Sequence, residues 1–418
     1  MEPPPKTDSP TRVLSSQDFR YYLGARFLAT TAIQMLGTAV AFQVYALTKR
    51  SLDLGLLGLS QFLPIAVFSL IAGHVADRLD RRAVLFVADV MFAVCAIALW
   101  WLSKMSSPAV WLIFAVFFVI GVARAFYGPA GSSLLPALVP REHVSSAVAW
   151  QSASWQLASI GGPALGGGLY AITSGPTFVY IVSTVGFVIG AFLLAGIRAR
   201  HVPASKAAIS LSTLLAGVRY IRRHQILLGS ITLDFFAVFL GGATALLPVF
   251  ATDILHVGAA GLGALRAAPA IGAGITAGFL AIRPLGRRAG PKMLWGVAIF
   301  GLCTIVFGLS HNFVLSLVTL AILGAADMVS AVVRGTLTQT ATPDAVRGRV
   351  SAVNLIFIGA SNELGEFESG TLAAWIGAVP CVLVGGVGTM IVVATWTWLF
   401  PALRKIERIE DVAPVSER

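Results

Sequence analysis

Long apolar stretches separated by short polar segments are the dominant pattern of this chain. The hydrocarbon core of a bilayer is about 30 Å thick and needs about 20 apolar residues per helix. Stretches of that length occur twelve times, and the pattern predicts twelve transmembrane helices. The predicted spans cover approximately 22–48, 53–76, 84–103, 110–138, 144–172, 178–197, 226–254, 258–282, 292–309, 313–340, 346–376 and 380–399.

The composition agrees with a chain that lies almost wholly in a membrane. Of its 418 residues, 57% are hydrophobic and 12% are charged, whereas soluble domains carry roughly a quarter charged residues. The cysteines Cys95, Cys303 and Cys381 are isolated in apolar stretches and show no metal-ligand spacing. We therefore expect neither a metal site nor a cofactor, and no phosphate-binding loop motif or His-Glu-x-x-His motif occurs.

The positive charge of the chain, +11 in total, is distributed unevenly among the short loops. Loops on the side opposite to the termini hold only Lys49, Arg50 and Lys104. Because cytoplasmic loops carry an excess of Lys and Arg, the asymmetry predicts that both termini are cytoplasmic. It also explains the basic balance without a nucleic-acid partner. The loops predicted to be cytoplasmic hold Arg78, Arg81, Arg82, Arg141, Arg198, Arg200, Lys206, Arg222, Arg223, Arg287, Arg288, Lys292, Arg347 and Arg349.

The two halves of the chain repeat each other. The segment 121–162 aligns with 324–365 without a gap, so that Pro140 corresponds to Pro343 and Gln151 to Asn354. Duplicated sets of membrane helices are typical of alternating-access carriers. The repeat predicts an N-terminal six-helix bundle at 19–198 and a C-terminal one at 224–401. We expect a disordered cytoplasmic tail at 1–18, a cytoplasmic linker with an amphipathic helix at 199–223, and a second tail at 402–418.

A dense group of charges separates the second and third spans, around Gly73, Asp77, Arg78, Arg81 and Arg82. Such a group cannot lie in hydrocarbon and predicts a tight turn in water. The pattern Gly-x-x-x-Asp-Arg-x-x-Arg-Arg resembles the corresponding loop of the major facilitator superfamily of secondary transporters. That resemblance implies two six-helix bundles and a conformational latch, in which the Asp-Arg pair holds the halves together on the cytoplasmic side. The alternative is a simple positive anchor.

Two further motifs resemble narrower groups of that superfamily. Gly162, Pro163, Gly166 and Gly167 in the fifth span resemble the motif of its antiporters, although close helix packing by small residues is the alternative. Together with the charged loop, the segments 138–142 and 362–370 resemble the drug and siderophore exporters grouped with the enterobactin exporter and the macrolide efflux proteins. This resemblance implies an exporter in the cytoplasmic membrane of a bacterium.

Several charged residues fall inside the predicted spans, where ionisable groups usually mark a pathway or a proton relay. An unpaired acid there would take up a proton readily. Structural pairing is the alternative, for instance of Asp327 with Arg124 or Arg334, and Asp89 is expected to bind the neighbouring basic loop. Arg124 resembles the helix 4 arginine that is proposed to take part in proton transfer in the superfamily's antiporters. The candidates for proton coupling are Asp234, Glu363, Glu366, Asp327 and Arg124.

Polar and aromatic residues of the spans are candidates for lining a large amphipathic cavity. Aromatic residues in such helices also face lipid or pack in the core, and that alternative stays open. The candidates are Arg26, Gln34, Gln61, Gln151, Trp155, Phe235, Phe239, Arg266, Asn354 and Asn362.

Together these observations predict a monomeric multi-pass transporter that is not an enzyme. We expect proton-coupled efflux of amphipathic small molecules, drugs or siderophores, by alternating access, with the substrate, protons and membrane lipids as its partners. The alternatives are a lipid or lysolipid translocator, or a uniporter without proton coupling. A non-transporting sensor and a membrane-embedded enzyme are less compatible with the sequence, which shows no output domain and no clustered nucleophile.

Overall fold

A computed structural model describes residues 12–105, 109–198, 211–283, 285–408 and 412. The side chains of 12, 69–78, 211–214, 344 and 345 are outside this description. The described chain is helical throughout and contains no strand. Its helices are α1 (Gln17–Thr48), α2 (Ser51–Arg78), α3 (Arg81–Ser103), α4 (Val110–Leu134), α5 (Val144–Ile172), α6 (Thr177–Gly196), α7 (Leu211–Arg223), α8 (Gln225–Leu240), α9 (Gly258–Ile282), α10 (Ala289–Leu309), α11 (Phe313–Thr340), α12 (Asp344–Ile376), α13 (Ala378–Leu399) and α14 (Pro401–Arg404).

Ten helices in the described part of the chain are long and apolar enough to cross a membrane. The helices α5 and α12 are not among them, although they are 29 and 33 residues long. Their low hydropathy has a clear origin, because α5 is rich in Ser, Gln and Gly, and α12 carries three glutamates. Ten of the twelve predicted spans are thus confirmed as candidate membrane helices.

Polar caps define several helix ends. Ser16 accepts a hydrogen bond from the backbone N–H of Phe19 and begins α1, so helix extends into the segment predicted as a disordered tail. A 3-10 turn, Arg12–Ser15, precedes it, and the rest of that tail lies outside the described residues. Asp80 accepts from the backbone N–H of Arg82 at 3.0 Å and begins α3. The aspartate that departs from the superfamily's loop pattern is therefore a helix cap.

The seventh predicted span, 226–254, is interrupted. Helix α8 ends at Leu240, where Gly241 and Gly242 follow, and a 3-10 turn leads into the helical turn Leu247–Val249. The chain then forms a π-helix, Phe250–Ile254. Two adjacent glycines weaken a helix, and Pro248 removes a backbone donor, so the sequence accounts for the break. The expectation of one continuous helix was wrong here.

The helices pack within each half of the chain and at two interfaces between the halves. In the N-terminal half, α1 packs against α5 and α6, α2 against α4, and α3 against α4 and α6. In the C-terminal half, α11 packs against α9 and α10, while α8 packs against α12 and α13. The contacts between the halves are mainly α5 with α9 and α2 with α12.

The helix α7 covers the C-terminal part of the predicted linker helix. Its Tyr220 hydroxyl donates a hydrogen bond to the Ala341 carbonyl at 2.8 Å, and a side chain at Gly217 would meet the backbone of Arg349. Tyr220 and Ile221 belong to the apolar core of the C-terminal half. The apolar face of this helix therefore packs on protein, and its polar face is directed outward.

Candidate functional site

A cavity of about 200 Å³ lies where the two halves meet, and it is lined by charged residues from both. Arg124 of α4 comes from the N-terminal half, and Arg266 of α9 comes from the C-terminal half. Glu363 and Glu366 come from α12. We call this the central cavity. Three predicted lining residues, Gln34, Gln61 and Arg266, contribute to it.

The charges in the central cavity are balanced. One Arg124 nitrogen, Nη1, lies 4.0 Å from Glu363 Oε1, and this pair joins the N-terminal half to the C-terminal half. Glu366 lies against α2 at Gly58, where an added Cβ would be 3.0 Å from Glu366 Oε2. Because Gly58 has no side chain, the Glu366 carboxylate fits between α12 and α2. Two arginines and two glutamates thus form a neutral cluster that depends on the contact between the halves.

Asp234, the first candidate for proton coupling, lies elsewhere. It forms an ion pair with Arg334 inside the C-terminal half, between α8 and α11. Both side chains are about nine-tenths buried or more, at 6% and 7% exposure. The alternative considered for Asp327, pairing with Arg124 or Arg334, is not found among the described residues, because Arg124 is paired with Glu363 and Arg334 with Asp234. Within the described residues, Asp327 forms no ion pair and no hydrogen bond.

Asp89 was expected to bind the basic loop, and the structure corrects this. It is fully buried on α3 and forms no ion pair among the described residues; the Tyr127 hydroxyl lies close to its carboxylate, although not in ideal hydrogen-bond geometry. On α6, an added Cβ at Gly190 would be only 2.9 Å from Asp89 Oδ2. The electrostatic neighbours of this carboxyl are Arg26 of α1 and Tyr127 of α4. The error arose because the sequence gives the distance of Asp89 from the loop along α3 but does not show which neighbouring helices that face of α3 meets.

Two arginines of the predicted latch, Arg81 and Arg82, bind within their own half. Arg81 donates from Nη1 to the Ser133 carbonyl at 2.8 Å, and Arg82 donates from Nη2 to the Ala195 carbonyl. They fasten the start of α3 to the ends of α4 and α6. The side chains of Gly73, Asp77 and Arg78 lie outside the described part, so the latch between the halves stays a prediction.

The antiporter-like motif of α5 forms the contact with two neighbouring helices. An added Cβ at Gly166 would be 2.9 Å from the Met35 Cα of α1. Gly167 faces Gly263 of α9, with an added Cβ 2.8 Å from the Gly263 Cα. Pro163 lies within the same helix. These small residues allow the backbones of α1, α5 and α9 to approach closely, which is the packing alternative considered for this motif.

A second cavity, of about 350 Å³, lies wholly in the N-terminal half, and we call it the vestibule. Three predicted lining residues, Arg26, Gln151 and Trp155, contribute to it. The Arg26 guanidinium donates to the Tyr127 carbonyl at 3.3 Å and lies 4.3 Å from the centre of the Tyr127 ring. The remaining lining comes from Thr30, Ser132, Leu135, Pro136, Val148, Ser152 and Ser154.

Four other predicted lining residues contribute to neither cavity. Phe235 and Phe239 stack with ring centroids 6.0 Å apart, and Phe235 also contacts Phe357, so they pack α8 against α12. Asn362 donates to the Ile358 carbonyl of its own helix at 2.8 Å. Asn354 has a buried side-chain oxygen without a partner among the described residues.

Sequence reasoning missed a polar cluster at the end of the molecule where α1 ends. The Tyr45 hydroxyl donates to Asp253, and Lys49 Nζ lies 3.2 Å from Asp253 Oδ1. Asp253 belongs to the π-helix, and π-helical turns often occur at functional sites. At the same end, Gly55 of α2 meets Gly370 of α12 backbone to backbone. The halves are therefore joined tightly here, and we call this the closed end. The sequence signals for this arrangement are Gly241, Gly242 and Pro248, which interrupt the seventh predicted span just before Asp253.

Comparison with known proteins agrees with this architecture. The transmembrane secretion effector family matches residues 8–416. The enterobactin exporter EntS of Citrobacter koseri is 28% identical over 406 residues, which are 95% of this chain and 96% of that protein. The same exporter of Shigella boydii serotype 18 is 28% identical over 405 residues, 96% of this chain and 95% of the relative.

Solved transporter structures share the fold at low sequence identity. A bacterial homologue of the human lysosomal transporter Spinster, in an inward-facing and occupied conformation, matches with a TM-score of 0.70 at 13% identity. The match covers 95% of this chain and 98% of that one. The nucleoside transporter NupG matches with a TM-score of 0.67 at 15% identity, covering 92% and 99%. The chain thus belongs to the transmembrane secretion effector family and is a transporter of the major facilitator type.

Proposed function

We propose that the chain exports amphipathic small molecules from a bacterial cytoplasm across the inner membrane, with siderophores as the first class to test. Transport would proceed by alternating access and be driven by proton entry. In this proposal α5 and α12 also cross the membrane, giving twelve spans in two six-helix bundles with both termini cytoplasmic. The relatives named above, which are enterobactin exporters, support the direction and the substrate class.

The observation that carries the proposal is the central cavity. Its charges are balanced only while α12 of one half lies beside α2 and α4 of the other. Movement of the halves separates Arg124 from Glu363, and an acid left without its partner in a low-dielectric site is costly when ionised. Protonation relieves that cost. A proton taken up by the acid therefore favours the separated arrangement, which is what a coupled carrier requires.

The asymmetry of the molecule supports the direction of entry. At the closed end the helices meet backbone to backbone, and the distribution of Lys and Arg assigns this end to the outside. The vestibule lies toward the other end, near the ends of α4 and the start of α5. A substrate would reach it from the cytoplasm or the inner leaflet.

Glu363 and Glu366 are better carriers of the proton than Asp234. Both glutamates line a cavity between the moving parts, whereas Asp234 and Arg334 are buried together in one half. A buried pair inside one rigid unit has no reason to change its protonation when the halves move. We assign the coupling step to the two glutamates.

The test is proton movement in liposomes that hold the purified chain and an internal pH indicator. Enterobactin, a macrolide, a tetracycline and a cationic dye would be added in turn. We expect a pH change with at least one compound, and its loss in Glu366→Gln but not in the exposed loop variant Glu142→Gln. Substrate flux without any proton movement would contradict the coupling and favour the uniporter or lipid translocator. No flux with any compound would contradict export itself.

A further inference from the structure

The vestibule has the features of a ligand site of its own. Pockets that hold drug-sized ligands usually have volumes of about 300–1,000 Å³. The vestibule, at about 350 Å³, is in this range, whereas the central cavity, at about 200 Å³, is below it. A molecule of that size therefore fits the vestibule in this conformation before it fits the central cavity.

Arg26 supplies the vestibule with a positive charge that forms no ion pair among the described residues. Among the described residues, no carboxylate lies within ion-pairing distance of Arg26, and its acceptors belong to Tyr127, whose carbonyl accepts from Nη1 at 3.3 Å and whose hydroxyl lies close by. A guanidinium has five N–H donors in a planar fork, so most of them are available. Asp89 acts on Arg26 only at longer range. Uncompensated arginines within membrane proteins usually serve a ligand or a pathway.

The backbone of α4 holds the guanidinium in position. An added Cβ at Gly131 would lie 3.1 Å from both Cζ and Nη1 of Arg26, so the absence of a side chain at Gly131 leaves room for the fork. The Tyr127 ring lies beneath the guanidinium at 4.3 Å and stabilises its charge. The arginine is thus fixed before any ligand arrives, which lowers the entropic cost of binding.

The α5 part of the vestibule lining presents a large aromatic surface. The Trp155 side chain is 56% exposed and lies on α5 beside Gln151. An indole ring that faces a cavity offers stacking to a planar ligand, and the neighbouring Ser152 and Ser132 hydroxyls offer hydrogen bonds. A cation and an exposed ring in the lining of one cavity match a ligand that carries an anionic group on an aromatic ring.

We propose that the vestibule binds an anionic aryl group and is the first binding site that the transported molecule occupies. Arg26 would pair with the anionic group, and Trp155 would stack on the aromatic ring. The role of this site in transport rests on the proposed export function. The binding site itself can be tested without any transport, so the failure of one proposal can be distinguished from the failure of the other.

The experiment is equilibrium dialysis of the purified full chain in detergent with 1-naphthoate, and with 1-naphthamide as the neutral probe of the same shape. We expect saturable naphthoate binding and at least tenfold weaker naphthamide binding. Arg26→Gln and Trp155→Ala should each weaken naphthoate binding about tenfold. The control Trp111→Ala removes an equally exposed ring, 66% exposed at the far end of α4, and should bind like the original protein.

A second pair of variants guards against misfolding as an explanation. Gly131→Ala displaces the Arg26 fork without removing a charge and should weaken naphthoate binding, whereas Gly128→Ala, with nothing within 4 Å of the new methyl group, should not. Any of three results would overturn the proposal. These are equal binding of the two probes, the absence of saturable naphthoate binding, and unchanged naphthoate binding in both Arg26→Gln and Trp155→Ala.

The remaining occupant to exclude is an anionic lipid headgroup. Phosphatidylglycerol added to the dialysis would compete for Arg26 but has no ring for Trp155. Displacement of naphthoate by this lipid, together with naphthoate binding that is indifferent to Trp155→Ala, would mean that the vestibule is a phosphate site and would overturn the proposal. If the binding pattern holds while liposomes show no flux, the vestibule site stands and the export function fails.

Discussion

The ion pair between Asp234 and Arg334 permits a prediction that separates structure from function. Both partners are almost completely buried inside the C-terminal half. Removing one partner leaves an uncompensated charge in a low-dielectric interior, which typically costs about 3–5 kcal/mol. Replacing both partners by apolar residues of similar volume is often neutral or stabilising by about 1–4 kcal/mol. We therefore expect Asp234→Leu and Arg334→Met each to destabilise the protein strongly, and the double variant to regain its stability.

The assay is a double-mutant cycle of reversible unfolding in mixed dodecyl maltoside and SDS micelles, followed by circular dichroism. If each single variant lowers the free energy of unfolding by about 3–5 kcal/mol, the two losses sum to about 6–10 kcal/mol. The loss measured for the double variant should be many times smaller than that sum. The same four proteins are then compared for substrate-dependent proton flux in liposomes. We expect the double variant to retain flux, because the pair lies outside the central cavity.

Two results would refute this reasoning. A single Asp234→Leu variant as stable as the original protein would mean that the pair contributes no stability. A double variant that is stable but has lost proton flux would return Asp234 to the role of proton carrier that the sequence suggested. In the latter case the assignment of coupling to the central cavity would fail.

Three smaller predictions follow from other contacts. Gly166→Ala brings a methyl group to 2.9 Å from the backbone of α1, so we expect overpacking to destabilise the protein by about 1–3 kcal/mol and to lower its unfolding temperature. The control Gly161→Ala places its methyl group in open space and should leave the unfolding temperature unchanged, so an equal decrease in both variants would contradict this. Tyr45→Phe removes the hydroxyl that donates to Asp253, a bond worth about 1 kcal/mol, and should broaden spin-label distances across the closed end; an unaltered distance distribution would contradict this. Asp89→Asn replaces a buried carboxyl that forms no ion pair and should be neutral or stabilising in thermal unfolding, while a loss above about 2 kcal/mol would mean that its interactions with Arg26 and Tyr127 stabilise the fold.

The sequence was most informative about the elements of the fold. The apolar stretches matched the helices well because hydrocarbon thickness constrains their length directly. The errors lie where local backbone chemistry decides, as at Gly241 and Gly242, which end α8 inside a predicted span. The start of α1 at Gln17 depended on the Ser16 cap, which is a local signal that hydropathy does not record.

The sequence was less informative about the site, because pairing depends on how each helix is rotated. The candidates Arg124, Glu363 and Glu366 do meet in one cavity, and their identity as charged residues in apolar helices was the signal. Asp234 had the same signal and yet pairs inside one half. Nothing in the spacing of α8 and α11 distinguishes these outcomes, since each requires knowledge of which face of the helix meets its neighbour.

The low hydropathy of α12 has a consequence for how the protein enters the membrane. An acid at the centre of a single inserting helix costs several kcal/mol, and α12 carries Glu363 and Glu366. Only Gly377 separates it from the apolar α13, so if α12 crosses the membrane, as we propose, the two helices can enter the bilayer together as a hairpin. Even then, Arg266 lies in the same half as the glutamates, whereas Arg124 and the cleft at Gly58 become available only when the N-terminal half has already been assembled. Synthesis in the order of the sequence thus presents the assembled N-terminal half to this weakly hydrophobic helix, and a C-terminal half made alone would leave Glu363 without Arg124.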